Sequence, residues 1–296
     1  MHGKGAAVAR DGRCAAERSA GATPPAPQAG EHGMARFKSV GVLLRDPGQS
    51  FPLEFLKAAF NGAGGDIHLL QEGQPPPELD LIIAMGGDGT VLKALDLDLD
   101  CPVLAINYGT VGFLTAGDRT ELEALVKRLL TGDYLVSERI LLRCEYPGGA
   151  ANVVNEVVLR SNWRMINVGV TVNDARIRTI RADGVIVGTP TGSTGYLLST
   201  GSPIVMPGAE IFILDGLNEY NFTSRPLVLP ASAHIQLELP SLLPGQEVWA
   251  YVDGAEKARI EAGEKVHLSL AKRRAKLIFF DKDYFFRNLS SRLRWN

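Results

Sequence analysis

Short apolar runs alternate with helix-periodic stretches in the first part of the chain. Phe37–Leu44, Ile67–Leu70, Leu81–Met85 and Pro102–Ile106 are partly β-branched and bounded by glycine, proline or polar residues. They predict strands, and Leu81–Met85 predicts a buried parallel one. Leu53, Leu56 and Phe60 predict a helix over Ser50–Phe60 that stops at Asn61–Gly65. Val91, Leu92 and Leu95 predict a second helix from Thr90. Leu122, Leu125, Val126 and Leu129 predict a third, opened by a capping-box-like Asp118–Glu121 and closed by Gly132. This βαβ alternation makes residues 34–134 an expected α/β domain with a mainly parallel sheet.

After Tyr134 the period changes. Strand-like runs succeed one another without long helices: Arg139–Glu145, Val153–Leu159, Val168–Val172, Arg176–Arg181, Val185–Thr189, His234–Leu239, Glu247–Val252, Lys265–Leu270 and Lys276–Phe280. Ile235, Leu237 and Leu239 alternate with polar residues, as a half-buried strand requires. Residues 135–271 therefore read as an all-β domain of two packed sheets, followed by a C-terminal segment over 272–296. Residues 1–33 are rich in Ala, Gly, Pro and Arg, lack periodicity and read as a disordered extension. They hold no secretory h-region, although the arginines and alanines leave a transit peptide open. Met34 is the alternative start.

Composition narrows the partners. The 296 residues are 45% hydrophobic and 22% charged, with a formal charge of −2. These values give no support to nucleic-acid or membrane binding. No apolar run approaches the ~18 residues of a membrane span. The three scattered cysteines suggest neither disulfides nor a zinc cluster, and fit a reducing cytoplasm. None of the five histidines falls in a motif.

Chemistry concentrates in a few stretches. Gly86-Gly87-Asp88-Gly89-Thr90 follows a buried strand and opens a helix. Glycines admit phosphate oxygens to the backbone, and the helix N-terminus offers N–H groups and positive dipole. An acid there would repel phosphate, so Asp88 is either a proton acceptor beside a phosphoryl group or a helix cap. The spacing is neither a dinucleotide fingerprint nor a Walker loop, and no lysine follows directly. A second glycine turn, Asn107–Leu114, follows the next strand and is expected on the same sheet edge, beside Asp88. Asn155-Glu156 interrupts an apolar run, so a buried partner or an exposed strand end is expected. Arg181-Ala182-Asp183-Gly184 reads most plainly as a hairpin turn. Thr189–Ser199 packs hydroxyls, two glycines and a tyrosine behind a buried strand, which suits a sugar or nucleotide.

Together these stretches resemble the NAD kinase family. Ser224–Leu229 resembles its RPLVL-type segment, Asp253-Gly254 its acidic turn and Leu293-Arg294-Trp295 its tail. The resemblance covers residues 36–296 and implies phosphorylation of the 2′-hydroxyl of the adenosine ribose of NAD, giving NADP. It implies ATP or polyphosphate as donor, a divalent cation such as Mg²⁺, and a homodimer or homotetramer. It makes Asp88 the proton acceptor and Gly86, Gly87, Gly89 and Thr90 the donor-phosphate loop. Asp88, Gly89, Asn155, Glu156, Thr194, Gly195, Tyr196, Leu197, Leu198 and Ser199 would hold NAD. Arg164, Arg181 and Asp183 would contact the dinucleotide or the neighbouring subunit's copy of it. No metal ligand is assigned. The implied fold is an α/β domain, a β-rich domain and a C-terminal tail that returns to the first. The chain departs from the family pattern at Gly195, Glu219-Tyr220 and Ala255. A lipid or sugar kinase would account for the glycine turn but not for Thr189–Ser199. A silent NAD-binding regulator would have no use for Asp88, and a structural β-sandwich would leave all of these motifs unexplained.

Overall fold

The computed structural model of the chain describes residues 37–46, 53–71, 73–109 and 112–294. The expectations for residues 1–33, Met34, Ser50–Pro52, Thr110, Val111 and Trp295 lie outside the described residues. The first part runs β1 (Ser39–Leu44), α1 (Leu53–Gly62), β2 (Asp66–Leu69), β3 (Leu81–Gly86), α2 (Asp88–Asp96), β4 (Val103–Asn107), β5 (Gly117–Asp118) and α3 (Leu122–Leu130). Strands then dominate: β6 (Leu135–Tyr146), β7 (Gly149–Val153), β8 (Glu156–Ser161), β9 (Ile166–Val172), β10 (Ala175–Ala182) and β11 (Gly184–Gly188). Two 3₁₀ turns follow, Thr191–Thr194 and Tyr196–Thr200. The rest is β12 (Ile211–Leu217), β13 (Leu227–Pro230), β14 (Ile235–Glu238), β15 (Val248–Val252), β16 (Ala255–Ile260), β17 (Lys265–Phe279) and α4 (Tyr284–Leu293).

Two sheets carry these strands. The larger runs β10-β9-β14-β17-β4-β3-β1-β2, with β5 beside β4, β6 beside β17 and β7 beside β6. Its β2, β1, β3, β4 and β5 are parallel, as the apolar runs of β1, β3 and β4 predict. The smaller sheet, β13-β12-β11-β8-β15-β16, is antiparallel throughout. Strand β17 joins the two regimes. Its first half pairs antiparallel with β14 and its second half parallel with β4.

Burial follows this plan. Val40, Val42, Leu81, Ile83 and Ile106 pack under α1 and α3. Ile82, Ala84, Val103 and Ala105 point the other way, toward Val91, Ala94 and Leu95 of α2 and Leu141, Ala275 and Leu277. Between the sheets, Val157 and Leu159 of β8 meet Val168, Val170, Ile235 and Leu268. The opposite side of β8 is also covered, because Val158 packs with Ile186, Leu197 and Ile213. Burial on both faces is why Val157, Val158 and Leu159 follow one another without a polar residue between them.

Several elements differ from expectation. Helix α2 begins at Asp88 rather than Thr90. The run Val153–Leu159 is two strands, not one, because the chain bends at Val154-Asn155 between β7 and β8. Lys265–Leu270 and Lys276–Phe280 are one strand carrying an irregularity between Leu270 and Arg274. Asp183-Gly184 is not a hairpin: β10 belongs to the large sheet and β11 to the small one, so the chain crosses between sheets there. Strands β5, β7, β12, β13 and β16 and helix α4 add to the predicted elements. In β16, Glu256, Lys257 and Arg259 hide the strand pattern, because this edge strand buries only Ile260 and charged side chains guard its exposed part. In α4 only Phe285 and Leu289 are buried, too few to stand out as a stripe.

Candidate active site

The strand β3 delivers Gly86 to the carboxyl end of the parallel sheet, and Gly87 is the N-cap of α2. No side chain caps this helix, so Asp88 does not serve as a cap. Its carboxylate turns instead to the second glycine turn, as the shared sheet edge predicts. Phe113 N–H donates to Asp88 Oδ2 and Leu114 N–H to Asp88 Oδ1, both at 3.0 Å. Gly112 makes this docking possible, since an added Cβ would sit 2.0 Å from Asp88 Oδ1. Each oxygen accepts one amide and keeps a second lone pair for a substrate hydroxyl. Around Gly87 and Gly89 a Cβ would meet nothing within 4 Å among the described residues.

The bend at Val154-Asn155 is held by Asp253, from the β15–β16 turn. Its carboxylate accepts the Val154 N–H at 2.8 Å, the Asn155 N–H at 2.7 Å and the Glu156 N–H at 3.1 Å. Asp253 and Gly254 both adopt positive φ, 46° and 81°, as a tight hairpin turn requires. Burial pushes the Asp253 carboxyl up, against the three amides that favour its charge. Thr189 Oγ1 donates to Val154 O and Thr189 N–H to Asn155 O, which ties the hydroxyl loop to the same bend.

Glu156 is the anomaly of the site. It is 7% exposed, and its Oε2 is buried with no hydrogen-bond partner among the described residues. Burial pushes its carboxyl up to about 7; the nearby Asp253 charge adds to this and the Tyr196 N–H opposes it. An unmet acceptor in the interior is costly and calls for a ligand donor. Gly195 lies over this pair, its would-be Cβ 3.3 Å from Glu156 Oε2 and 3.7 Å from Asn155 Nδ2. Tyr196 and Ser199 beside it are exposed and Thr194 and Leu198 half-buried, whereas the Leu197 side chain packs into the core.

Arg164, Arg181 and Asp183 fall elsewhere. In the register of β8 and β11, Gly188 lies opposite Glu156 and Gly184 opposite Arg160. Four residues of strand, about 13 Å, separate the two ends. Asp183 accepts the Asn218 side-chain amide, Arg181 stacks on Tyr220, and Arg164 lies over Trp163. The structure thus sets Asp183, next to Gly184, at the opposite end of β11 from Gly188 and Glu156.

Other residues support the site without a motif to announce them. Tyr284 of α4 bonds Arg139 Nη2 and Ser137 Oγ, each at 2.9 Å, and Asn288 Nδ2 donates to Thr115 O at 3.3 Å. Arg139 is 2% exposed, and its guanidinium meets hydroxyls (Ser137, Tyr284 and Thr191 in the hydroxyl loop) rather than a carboxylate. Alternation along Ser137, Arg139 and Leu141 places the arginine on a core face, and that mismatch is its one sequence signal. Among the described residues, no three His, Cys, Asp or Glu side chains converge to hold a metal ion. Nor is any helix among them long and apolar enough to cross a membrane.

Comparison with known proteins bears on this arrangement. The family model of the ATP-NAD kinase N-terminal domain matches residues 64–134, and that of the C-terminal domain matches 154–280. The NAD kinase of Citrifermentans bemidjiense is 37% identical over 227 residues, 74% of this chain and 78% of that one. The NAD kinase of Methanothermobacter thermautotrophicus is 35% identical over 212 residues, 70% of this chain and 74% of that one. Among solved structures, an Archaeoglobus fulgidus NAD kinase in complex with ATP is 27% identical. It superposes with a TM-score of 0.72, covering 86% of this chain and 98% of that one. A yeast NADH kinase complexed with NADH shares the fold at 21% identity, with a TM-score of 0.77 over 88% and 89% of the two chains.

Proposed function

The chain belongs to the NAD kinase family, and from that premise we propose how its residues carry the reaction. The enzyme transfers a phosphoryl group from ATP to the 2′-hydroxyl of the adenosine ribose of NAD, giving NADP. The observation that carries the site assignment is the pair of carboxylates. Asp88 is held by two backbone amides beside the glycine turn, and Glu156 is buried with one oxygen unmet among the described residues. Asp88 orients the 2′-hydroxyl and takes its proton. Gly86, Gly87, Gly89 and Thr90 face the donor phosphates. Asn155, Glu156 and the Thr194–Ser199 segment hold NAD, with Glu156 Oε2 accepting a ribose hydroxyl.

A loose phosphoryl-transfer transition state needs positioning and charge neutralisation more than covalent help. A divalent cation would supply part of that neutralisation. Carried on the donor's phosphates, as is ordinary in kinases, Mg²⁺ would supply that charge next to the Gly86–Thr90 turn. Residues 34–134 form the donor side and 135–271 the dinucleotide side, bridged by 272–296. Arg164, Arg181 and Asp183 serve a dinucleotide bound by a neighbouring subunit of a dimer or tetramer, a role supported for Asp183 by its place at the far end of β11 from Glu156. The free, buried Cys101 and Cys144 suit work in a reducing cytoplasm.

Incubation with Mg²⁺, NAD and either ATP or polyphosphate tests this reading and identifies the donor. NADP is the expected product. Tight NAD binding without NADP would make the chain a silent regulator. Phosphorylation of a lipid or free sugar in its place would make it another kind of kinase.

A further inference from the structure

The glycine turn that faces the donor phosphates contains no cation, and neither does Thr189–Ser199. A fully ionised ATP bound there with one divalent cation would still carry about two unbalanced negative charges. The tertiary structure brings a cation from a distant stretch. The parallel order β4-β3-β1 puts the carboxyl ends of these three strands side by side. Gly86 closes β3, Gly109 follows β4, and Arg45 follows β1. The Arg45 N–H donates to Met85 O at 2.9 Å, which continues the β1–β3 pairing up to the glycine turn. A Cβ on Gly86 would lie 2.9 Å from Arg45 Cβ, and a Cβ on Gly109 would lie 3.8 Å from Arg45 Nη1. The side chain therefore starts against the first glycine turn and reaches the second. It is exposed, so a ligand can meet it.

We infer that Arg45 is the phosphoryl donor's cation, a guanidinium that lies between the two glycine turns and binds the donor's terminal phosphates. This rests on the kinase reading above. The guanidinium fork matches phosphate oxygens in pairs, which an ammonium does not. Ligands of open parallel sheets bind at these carboxyl ends, so the position is where a charged co-substrate arrives.

The test compares the parent chain with Arg45→Ala and Arg45→Lys. Steady-state kinetics are run with ATP varied at saturating NAD, then the reverse, at low and high salt. Because Arg45 is exposed, both variants should melt with the parent. Arg45→Ala should raise the KM for ATP about tenfold or more, the worth of one lost hydrogen bond to a charged group. The KM for NAD should move much less, the salt dependence of the ATP constant should weaken, and Arg45→Lys should recover only part of the loss. Unchanged ATP kinetics in Arg45→Ala would overturn the inference, as would an effect confined to NAD. Should Arg45→Ala melt lower, Arg45→Met, which keeps the aliphatic stem, must show the same ATP defect for the inference to stand. NADP formation by the parent chain is scored separately, so a failure of the kinase reading is told apart from a failure at Arg45.

Discussion

Asp88 and Glu156 are two acids held in opposite ways. Asp88 stands at a half-open turn, each oxygen fixed by one backbone amide from Phe113 or Leu114. Glu156 is buried, lacks a partner on Oε2 among the described residues, and has its carboxyl pushed up to about 7. The first arrangement fixes an acceptor in space while leaving lone pairs free. The second keeps an acceptor waiting at a cost to the unliganded fold. A group that moves a proton must be positioned, whereas a group that selects a ligand gains from being unsatisfied without it.

The largest expected effect breaks the first half of the comparison. Asp88→Asn should lower turnover ~10²–10⁴-fold, the usual worth of general-base help, with NAD affinity nearly unchanged. An amide cannot accept both N–H groups through both of its atoms, so a modest loss of melting temperature should accompany it. Gly112→Ala is the sharper variant, since it keeps Asp88 but drives a methyl group into Oδ1. Its turnover should fall as well, and full activity would show that Asp88 needs no fixed position.

Glu156→Gln addresses the other half. Equilibrium binding should show NAD weakened about tenfold, the scale of a hydrogen bond to a charged acceptor. Asp253→Asn should do the same indirectly by loosening the Val154–Glu156 bend. It should also cost about 1–3 kcal/mol in denaturant unfolding, because buried amides lose their acceptor. Unchanged NAD binding in both variants would remove the dinucleotide role from this bend.

A pH series separates the two acids further. Folding raises the Glu156 pKa from 4.5 to about 7, so the folded chain holds this proton after the unfolded chain has released it. The associated stability is fully present below pH 4.5 and falls as pH rises toward 7. The loss is up to about 3 kcal/mol. Glu156→Gln should flatten that segment of the stability curve. A curve parallel to that of the parent chain would mean the carboxyl is not perturbed.

The smallest effect concerns the far end of the strands. Arg164→Ala and Arg181→Ala should leave NAD binding unchanged in dilute, dissociated protein and weaken it only where subunits associate. Binding isotherms at two protein concentrations, checked by light scattering, would show this.

The local pattern alone determined much of the molecule. Leu81–Met85 and Pro102–Ile106 are strands because a parallel sheet buries both faces and erases alternation. The glycine turn sits at a helix start because glycine permits that approach of the backbone. The Glu156 anomaly was visible as a charge within an apolar run. Tertiary structure decided what meets these elements. The bend at Val154-Asn155 exists because Asp253, from a hairpin far along the chain, collects three amides there. Asp183-Gly184 crosses between sheets because the partners of β11 are β8 and β12, not β10. Arg45, Arg139 and the amides of Phe113 and Leu114 reach the glycine turns and the hydroxyl loop through strand order and packing. Periodicity records which face of an element is buried; it carries no record of which distant segment lies against that face.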